Sequence, residues 1–165
     1  VSRGAWYGWP DFIGGDPITA PQFRPQRGPA SSFVLANHDN LPPPQRPLLR
    51  FPPHSAAVKF AVAPSSVPAW AGQMVVTLFG DEVPMTVPPG PRVGRSVVRI
   101  DPTDWSLHPL VQGPLARPID VRFDPSGKSL YILDFGHFEM RAKQGVEALA
   151  RSGSVFRLTL SRDPL

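Results

Sequence analysis

Arg117-Pro118-Ile119-Asp120-Val121-Arg122-Phe123-Asp124-Pro125-Ser126-Gly127-Lys128-Ser129-Leu130-Tyr131-Ile132-Leu133-Asp134-Phe135-Gly136 reads as two strands joined by a tight turn. Ile119, Val121 and Phe123 alternate with Asp120, Arg122 and Asp124, the period-two pattern of a strand with one buried face. Asp124-Pro125-Ser126-Gly127 closes the turn: proline presets φ at its second position, aspartate bonds the backbone ahead, and glycine suits the last place. Leu130-Tyr131-Ile132-Leu133 is apolar on both faces, which predicts an interior strand between two layers. It ends in Asp134-Phe135-Gly136, a carboxylate and a flexible glycine where sheets often present functional groups.

The rest of the chain extends this pattern. With 41% hydrophobic residues in 165, one folded domain with a core is expected. The 23 prolines and 14 glycines leave few windows with a helical period, so the fold class is all-β with long ordered loops. The net charge of +4 comes from arginines scattered singly, without the clustering that tracks phosphates, so nucleic acid is not an expected partner. With no cysteine, disulfides, thiolate metal sites and cysteine nucleophiles are excluded. No apolar run has the length of a transmembrane segment, and no signal peptide is read. Beginning at Val1 inside a Gly/Trp-rich stretch, the chain reads as a processed product or part of a longer one.

Residues 1–50 form a leading, loop-rich segment. Trp6, Tyr7, Trp9 and Phe12 stand among turn formers with no period and are expected to plug the side of a core. Leu41-Pro42-Pro43-Pro44 predicts polyproline II on a surface. From Phe51, strands follow: Val58–Val62, the apolar Met74–Phe79, then Ser96–Ile100 after a proline-rich loop from Val83 to Gly94. Trp105–Val111 is expected at a sheet edge, where Pro109 is tolerated.

An internal repeat connects these strands to the opening stretch. Val58-Lys59-Phe60 matches Val121-Arg122-Phe123 (121 minus 58, 63 positions) and Phe79-Gly80 matches Phe135-Gly136 (135 minus 79, 56). Ser96–Ile100 matches Ser154–Leu158 (154 minus 96, 58). Antiparallel four-stranded units repeating at this length are the blades of a β-propeller. Residues 51–113 are one blade and 114–165 the last blade, which lacks its outer strand. Two blades do not close a ring, so the remaining blades or a complementing chain are the expected partners.

Tyr7-Gly8-Trp9-Pro10-Asp11 with Gly14-Gly15, Phe51-Pro52-Pro53-His54-Ser55, Leu78-Phe79-Gly80-Asp81, Val97-Val98-Arg99-Ile100, Arg117-Pro118-Ile119-Asp120-Val121 and Leu133-Asp134-Phe135-Gly136 together carry a family resemblance. From about Ala5 to Leu160 the chain resembles the C-terminal half of the glucose/sorbosone dehydrogenase family. The resemblance implies a six-bladed propeller, pyrroloquinoline quinone and calcium as cofactors, and a secreted or periplasmic location. It also implies a small sugar or aldehyde substrate, oxidised by hydride transfer to the quinone, with the general base and most calcium ligands outside this chain. In quinone-binding members the cofactor carboxylates meet arginines on a segment like 117–121 and a lysine after the preceding interior strand. Arg117 matches the first arginine. Ile119 stands at the second, and the lysine's place near Gly80 or Asp81 holds no basic residue. A tricarboxylate needs bidentate cations, so losing two of three weakens binding by roughly several kcal/mol.

Two functions follow from this. In the dehydrogenase, Arg117 pairs with the cofactor and His54, Asp81, Asp134 and His137, on loops at strand ends, line the pocket mouth. The alternative is a non-catalytic propeller used as a binding or assembly module, for which the missing cations argue. Ordinary loop hydrogen bonds are the competing role for the histidines, and turn-amide acceptance for Asp81 and Asp134. His38, His54, His108 and His137 are too far apart in sequence for a metal-ligand motif, so no metal site is read from this chain.

Overall fold

A computed structural model describes residues 2–25, 28–82, 91–141 and 143–160. The architecture is antiparallel β with short 3-10 turns, and no α-helix occurs among the described residues. No helix among them is long and apolar enough to cross a membrane. The chain divides into two compact units, Val1–Arg50 and Phe51–Leu165.

The first unit holds strands β1 (Phe12–Ile13) and β2 (Asp16–Pro17), joined through Gly14-Gly15. It is organised by a buried carboxylate. Asp11 accepts the Val34 and Leu35 amides at 2.6 and 3.2 Å and bonds His38 Nδ1 at 2.7 Å. The His38 ring stacks on Phe33, and Phe12 and Trp6 complete the cluster. Tyr7 and Trp9 are exposed instead of filling a core, while Trp6, Phe12 and Phe33 gather round the His38 ring.

Burial alone would raise the Asp11 pKa, but the Val34 amide, His38 and the Leu35 amide outweigh it and hold the carboxyl below the ordinary aspartate range. A lowered folded-state pKa contributes stability that is fully present above the unfolded value, about 3.9. That stability is lost as pH falls through the lower folded value. Acidification below about pH 4 should therefore loosen the aromatic cluster. In Asp11→Asn the near-ultraviolet circular dichroism should lose that part of its acid transition.

The second unit contains two larger sheets and a two-stranded hairpin. β3 (Ala57–Val62), β4 (Met74–Leu78), β5 (Ser96–Ile100) and β6 (Leu107–Gln112) form a four-stranded meander in that order. β7 (Pro118–Phe123), β8 (Ser129–Asp134) and, after a hairpin, β11 (Ser154–Thr159) form a three-stranded sheet with β8 central. The hairpin pairs β9 (Phe138–Arg141) with β10 (Gly145–Ala148). The Asp124–Gly127 turn forms as its residues dictate: Gly127 N–H donates to Asp124 O at 3.0 Å, and the Asp124 carboxylate accepts the Lys128 amide. Pro109 lies in edge strand β6, beside a bulge at Leu110 in the β5–β6 register. Residues 83–90 of the expected 83–94 loop lie outside the described residues.

β7 lies against β3 and β4. Val75 and Val97 of one sheet meet Val121, Leu130 and Ile132 of the other, with Leu115 beside them, in a single core. β8 is central in its sheet, yet of its four apolar residues only Leu130 and Ile132 are buried while Tyr131 and Leu133 are exposed. The expectation of cover on both faces is not met because, among the described residues, only the face toward β3 and β4 has a partner sheet. β3 is likewise more exposed than its alternation suggested, with Ala61 alone half-buried.

The two sheets have the same register. Ala57↔Leu78, Lys59↔Thr77 and Phe60↔Val76 become Pro118↔Asp134, Asp120↔Leu133 and Val121↔Ile132. The shift is 61 positions in the first strand (118 minus 57) and 56 in the second (134 minus 78). Each pair of strands has a bulge at the same place, between Ala57 and Lys59 and between Pro118 and Asp120. The third strand continues the match: Leu78↔Ser96 becomes Asp134↔Ser154, a shift of 58 (154 minus 96). Phe60, not Val58, is thus the counterpart of Val121, because the bulge displaces Val58 from the pairing that the Val-x-Phe match suggested.

Candidate functional site

The ends of β4 and β8 lie beside the starts of β3, β5, β7 and β11. Here backbone segments approach one another closely. Phe79 N–H donates to Ala56 O and, at the repeated position, Phe135 N–H to Arg117 O. Gly80 and Gly136 follow, both with φ near +90° and both against backbone of the segment that leads into the next strand.

Arg117 is the centre of this end. It opens β7 and its side chain is 1% exposed. Nη1 donates to Phe79 O at 3.2 Å and Asp81 O at 2.7 Å, while Nε and Nη2 donate to Phe138 O at 3.3 and 3.0 Å. Nη2 also pairs with Glu82. A guanidinium has five N–H donors, and these acceptors match them all. The Phe79 and Phe138 rings flank the cation, with centroids 4.8 and 5.8 Å from Cζ. Arg117 therefore fastens the end of β4 to the starts of β7 and β9.

Two more arginines converge there. Arg92 Nη1 approaches Asp81 Oδ1 at 3.3 Å, Arg95 Nη2 approaches Asp81 O at 3.4 Å, and the Val93 amide bonds Asp81 Oδ2 at 2.5 Å. Burial, then the Arg95 guanidinium, lowers the Arg117 pKa, with Glu82 acting the other way. Arg95 is lowered by burial and then by Arg92, against Asp81. The site is a partly dehydrated cluster of three guanidinium groups with Asp81 and Glu82 among them.

Of the five residues singled out by sequence, the structure brings Arg117, Asp81 and Asp134 together, all buried. Asp134 accepts the Ala116, Arg117 and Gly136 amides at 2.8, 3.0 and 2.7 Å, so its carboxylate closes a strand end. Asp81 is also an acceptor of amide and guanidinium bonds. His54 is exposed in a turn at φ 66°, and half-buried His137 holds its backbone through the Ser152 hydroxyl at 2.8 Å. Sequence reading missed Glu82, Arg92 and Arg95. The signal available was Arg92-Val93-Gly94-Arg95 beside a second glycine-bearing strand end.

The β9–β10 hairpin also places His137, Glu139 and Glu147 with one potential ligand atom each, all within 4.8 Å of one another. Arg141 pairs with both carboxylates, at 2.7 Å to Glu147 and 3.7 Å to Glu139. The hairpin register sets Glu139 opposite Glu147, a proximity that spacing along the chain conceals.

The residues carried over by resemblance do not fit a quinone tricarboxylate. Arg117 is occupied by protein acceptors, Ile119 carries no charge, and Gly80-Asp81-Glu82 holds no basic residue, its carboxylates drawing on Arg92 and Arg117. No protein-family model matches the chain, and a search of curated proteins finds no match.

Proposed function

We propose that the chain is part of a β-propeller of the glucose/sorbosone dehydrogenase type that keeps the fold without the quinone site and serves as a binding or assembly module. The observation that carries this reading is the Arg117 guanidinium, whose five donors are spent on Glu82, Phe79, Asp81 and Phe138. The repeated register supports successive blades. The outer edge of β11 supports a partner, since its counterpart β5 is paired with β6 while no strand pairs that edge of β11 among the described residues. Such an edge accepts an extended segment by strand addition.

The dehydrogenase reading retains one supporting observation: Arg92 and Arg95 bring cations to Asp81, near the place of the family's lysine. In that reading a small sugar or aldehyde would be the substrate. Equilibrium dialysis against pyrroloquinoline quinone with calcium separates the two. The module reading expects equal quinone absorbance on both sides of the membrane. Retained quinone that Arg92→Ala with Arg95→Ala releases would overturn it in favour of the dehydrogenase.

A further inference from the structure

At the end of the sheets opposite Arg117, residues 63–73 join β3 to β4, the Asp124–Gly127 turn joins β7 to β8, and β11 runs out toward Leu160. Between them lies a cavity of about 440 Å³. Val67, Pro68, Ala69 and Leu160 line its apolar side, and Ser66 and Lys128 its polar side. The volume is in the range of small-ligand sites, roughly 300–1,000 Å³.

Hydrogen bonds of the main chain hold the walls in place. Val67 N–H donates to Pro64 O at 2.9 Å, Gly127 N–H to Asp124 O at 3.0 Å and Leu160 N–H to Lys128 O at 2.9 Å. The two turns also touch, since a side chain at Gly127 would collide with the Ser66 hydroxyl. The cavity is therefore built into the fold and does not depend on a ligand to form it.

Two polar groups of the lining are uncommitted within the chain. The Lys128 ammonium has no carboxylate within ion-pair distance among the described residues. The acid of its own turn, Asp124, is engaged instead with the Ser126 hydroxyl at 3.1 Å and the Lys128 amide at 2.9 Å. The Ser66 hydroxyl likewise has no hydrogen-bond partner among the described residues.

We infer that this cavity binds a small organic carboxylate with an apolar body. The carboxylate meets the Lys128 ammonium and the Ser66 hydroxyl, which together supply the donors that an ionised acid accepts. Its hydrocarbon part lies on Val67, Pro68, Ala69 and Leu160. One ammonium balances one carboxylate, whereas a phosphate monoester carries about two charges and would bring the excess beside Asp124. The site is at the far end of the sheets from Arg117, so it goes beyond the assembly reading and does not depend on it.

Two-dimensional amide nuclear magnetic resonance of the chain, titrated with phenylbutyrate, tests this, with phenylbutyramide as the neutral counterpart of the same shape. Phenylbutyrate should give saturable shifts centred on the Val67, Ala69, Gly127, Lys128 and Leu160 amides, and phenylbutyramide should bind there roughly tenfold more weakly. Lys128→Met keeps the length of an exposed side chain and removes its charge. It should weaken phenylbutyrate about tenfold and leave phenylbutyramide unchanged, and the unshifted remainder of its spectrum reports that the variant is folded. Shifts that do not saturate, shifts centred elsewhere, equal affinity for acid and amide, or an equal loss of both in Lys128→Met would each overturn the inference. Quinone retention in dialysis would instead sink the module reading and leave this one standing.

Discussion

Arg117→Ala is expected to lower the stability of the second unit by roughly 3–5 kcal/mol, the range for breaking a buried ion pair from one side. The substitution leaves the Glu82 carboxylate without the cation it pairs with, and it removes the donors that satisfy the Phe79, Asp81 and Phe138 carbonyls. An unsatisfied buried acceptor costs on the order of 1–3 kcal/mol, so the loss at Phe79 and Phe138 accounts for the size of the effect even after water enters, while Arg95 Nη2 stays 3.4 Å from the Asp81 carbonyl. Arg117→Lys should recover only part of it, since an ammonium has three donors and no planar fork. With a urea dependence of about 1–3 kcal/mol per molar, the unfolding midpoint of Arg117→Ala should fall by at least about 1 M. A cofactor arginine would behave differently, because its removal would leave the midpoint of the ligand-free protein nearly unchanged.

The second large effect belongs to Gly80 and its counterpart Gly136. A Cβ at Gly80 would lie 2.7 Å from both Arg95 N and Val93 O, and one at Gly136 would lie 2.4 Å from Ser152 C and O. These are backbone atoms of the segments that lead directly into β5 and β11, so they cannot yield as a flexible side chain would. Their φ values of 94° and 88° add left-handed strain, about 1–2 kcal/mol for an L-residue. Overpacking adds roughly 1–3 kcal/mol. Either alanine substitution should therefore cost about 2–5 kcal/mol. Gly72→Ala isolates the strain, because Gly72 has φ 78° and nothing within 4 Å of the added methyl. It should cost about 1–2 kcal/mol, and equal losses at all three positions would refute the crowding argument.

Local pattern made much of this fold readable. The alternation over Ile119–Phe123 and the Asp124–Gly127 turn depend on residues a few positions apart, and β7, β8 and the turn follow from them. The burial of Tyr131 and Leu133 depends instead on whether another layer lies over that face, which apolarity along the strand cannot report. The β9–β10 hairpin escaped notice although Phe138-Glu139-Met140-Arg141 alternates, because each strand is only four residues long.

The candidate site was legible in its residue types but not in its pairings. Arg117 and Glu82 are 35 positions apart (117 minus 82) and meet only because the end of β4 and the start of β7 converge. Asp134 was identifiable as a strand-end carboxylate, and its role became clear only with the three amides that point at it. The repeat was visible at two of its three offsets. The third was misread because a bulge and a recurring Val-x-Phe produce a false match two positions away.

The most direct measurement of Arg117's role is nuclear magnetic resonance of its guanidinium protons, with and without pyrroloquinoline quinone and calcium. If Arg117 serves the fold, its Nη protons give separate, slowly exchanging signals in the ligand-free protein and do not shift when quinone and calcium are added. Averaged, rapidly exchanging Nη signals that sharpen and move on quinone addition would mean that the arginine awaits a cofactor, and would contradict the reading that this fold is without the quinone site.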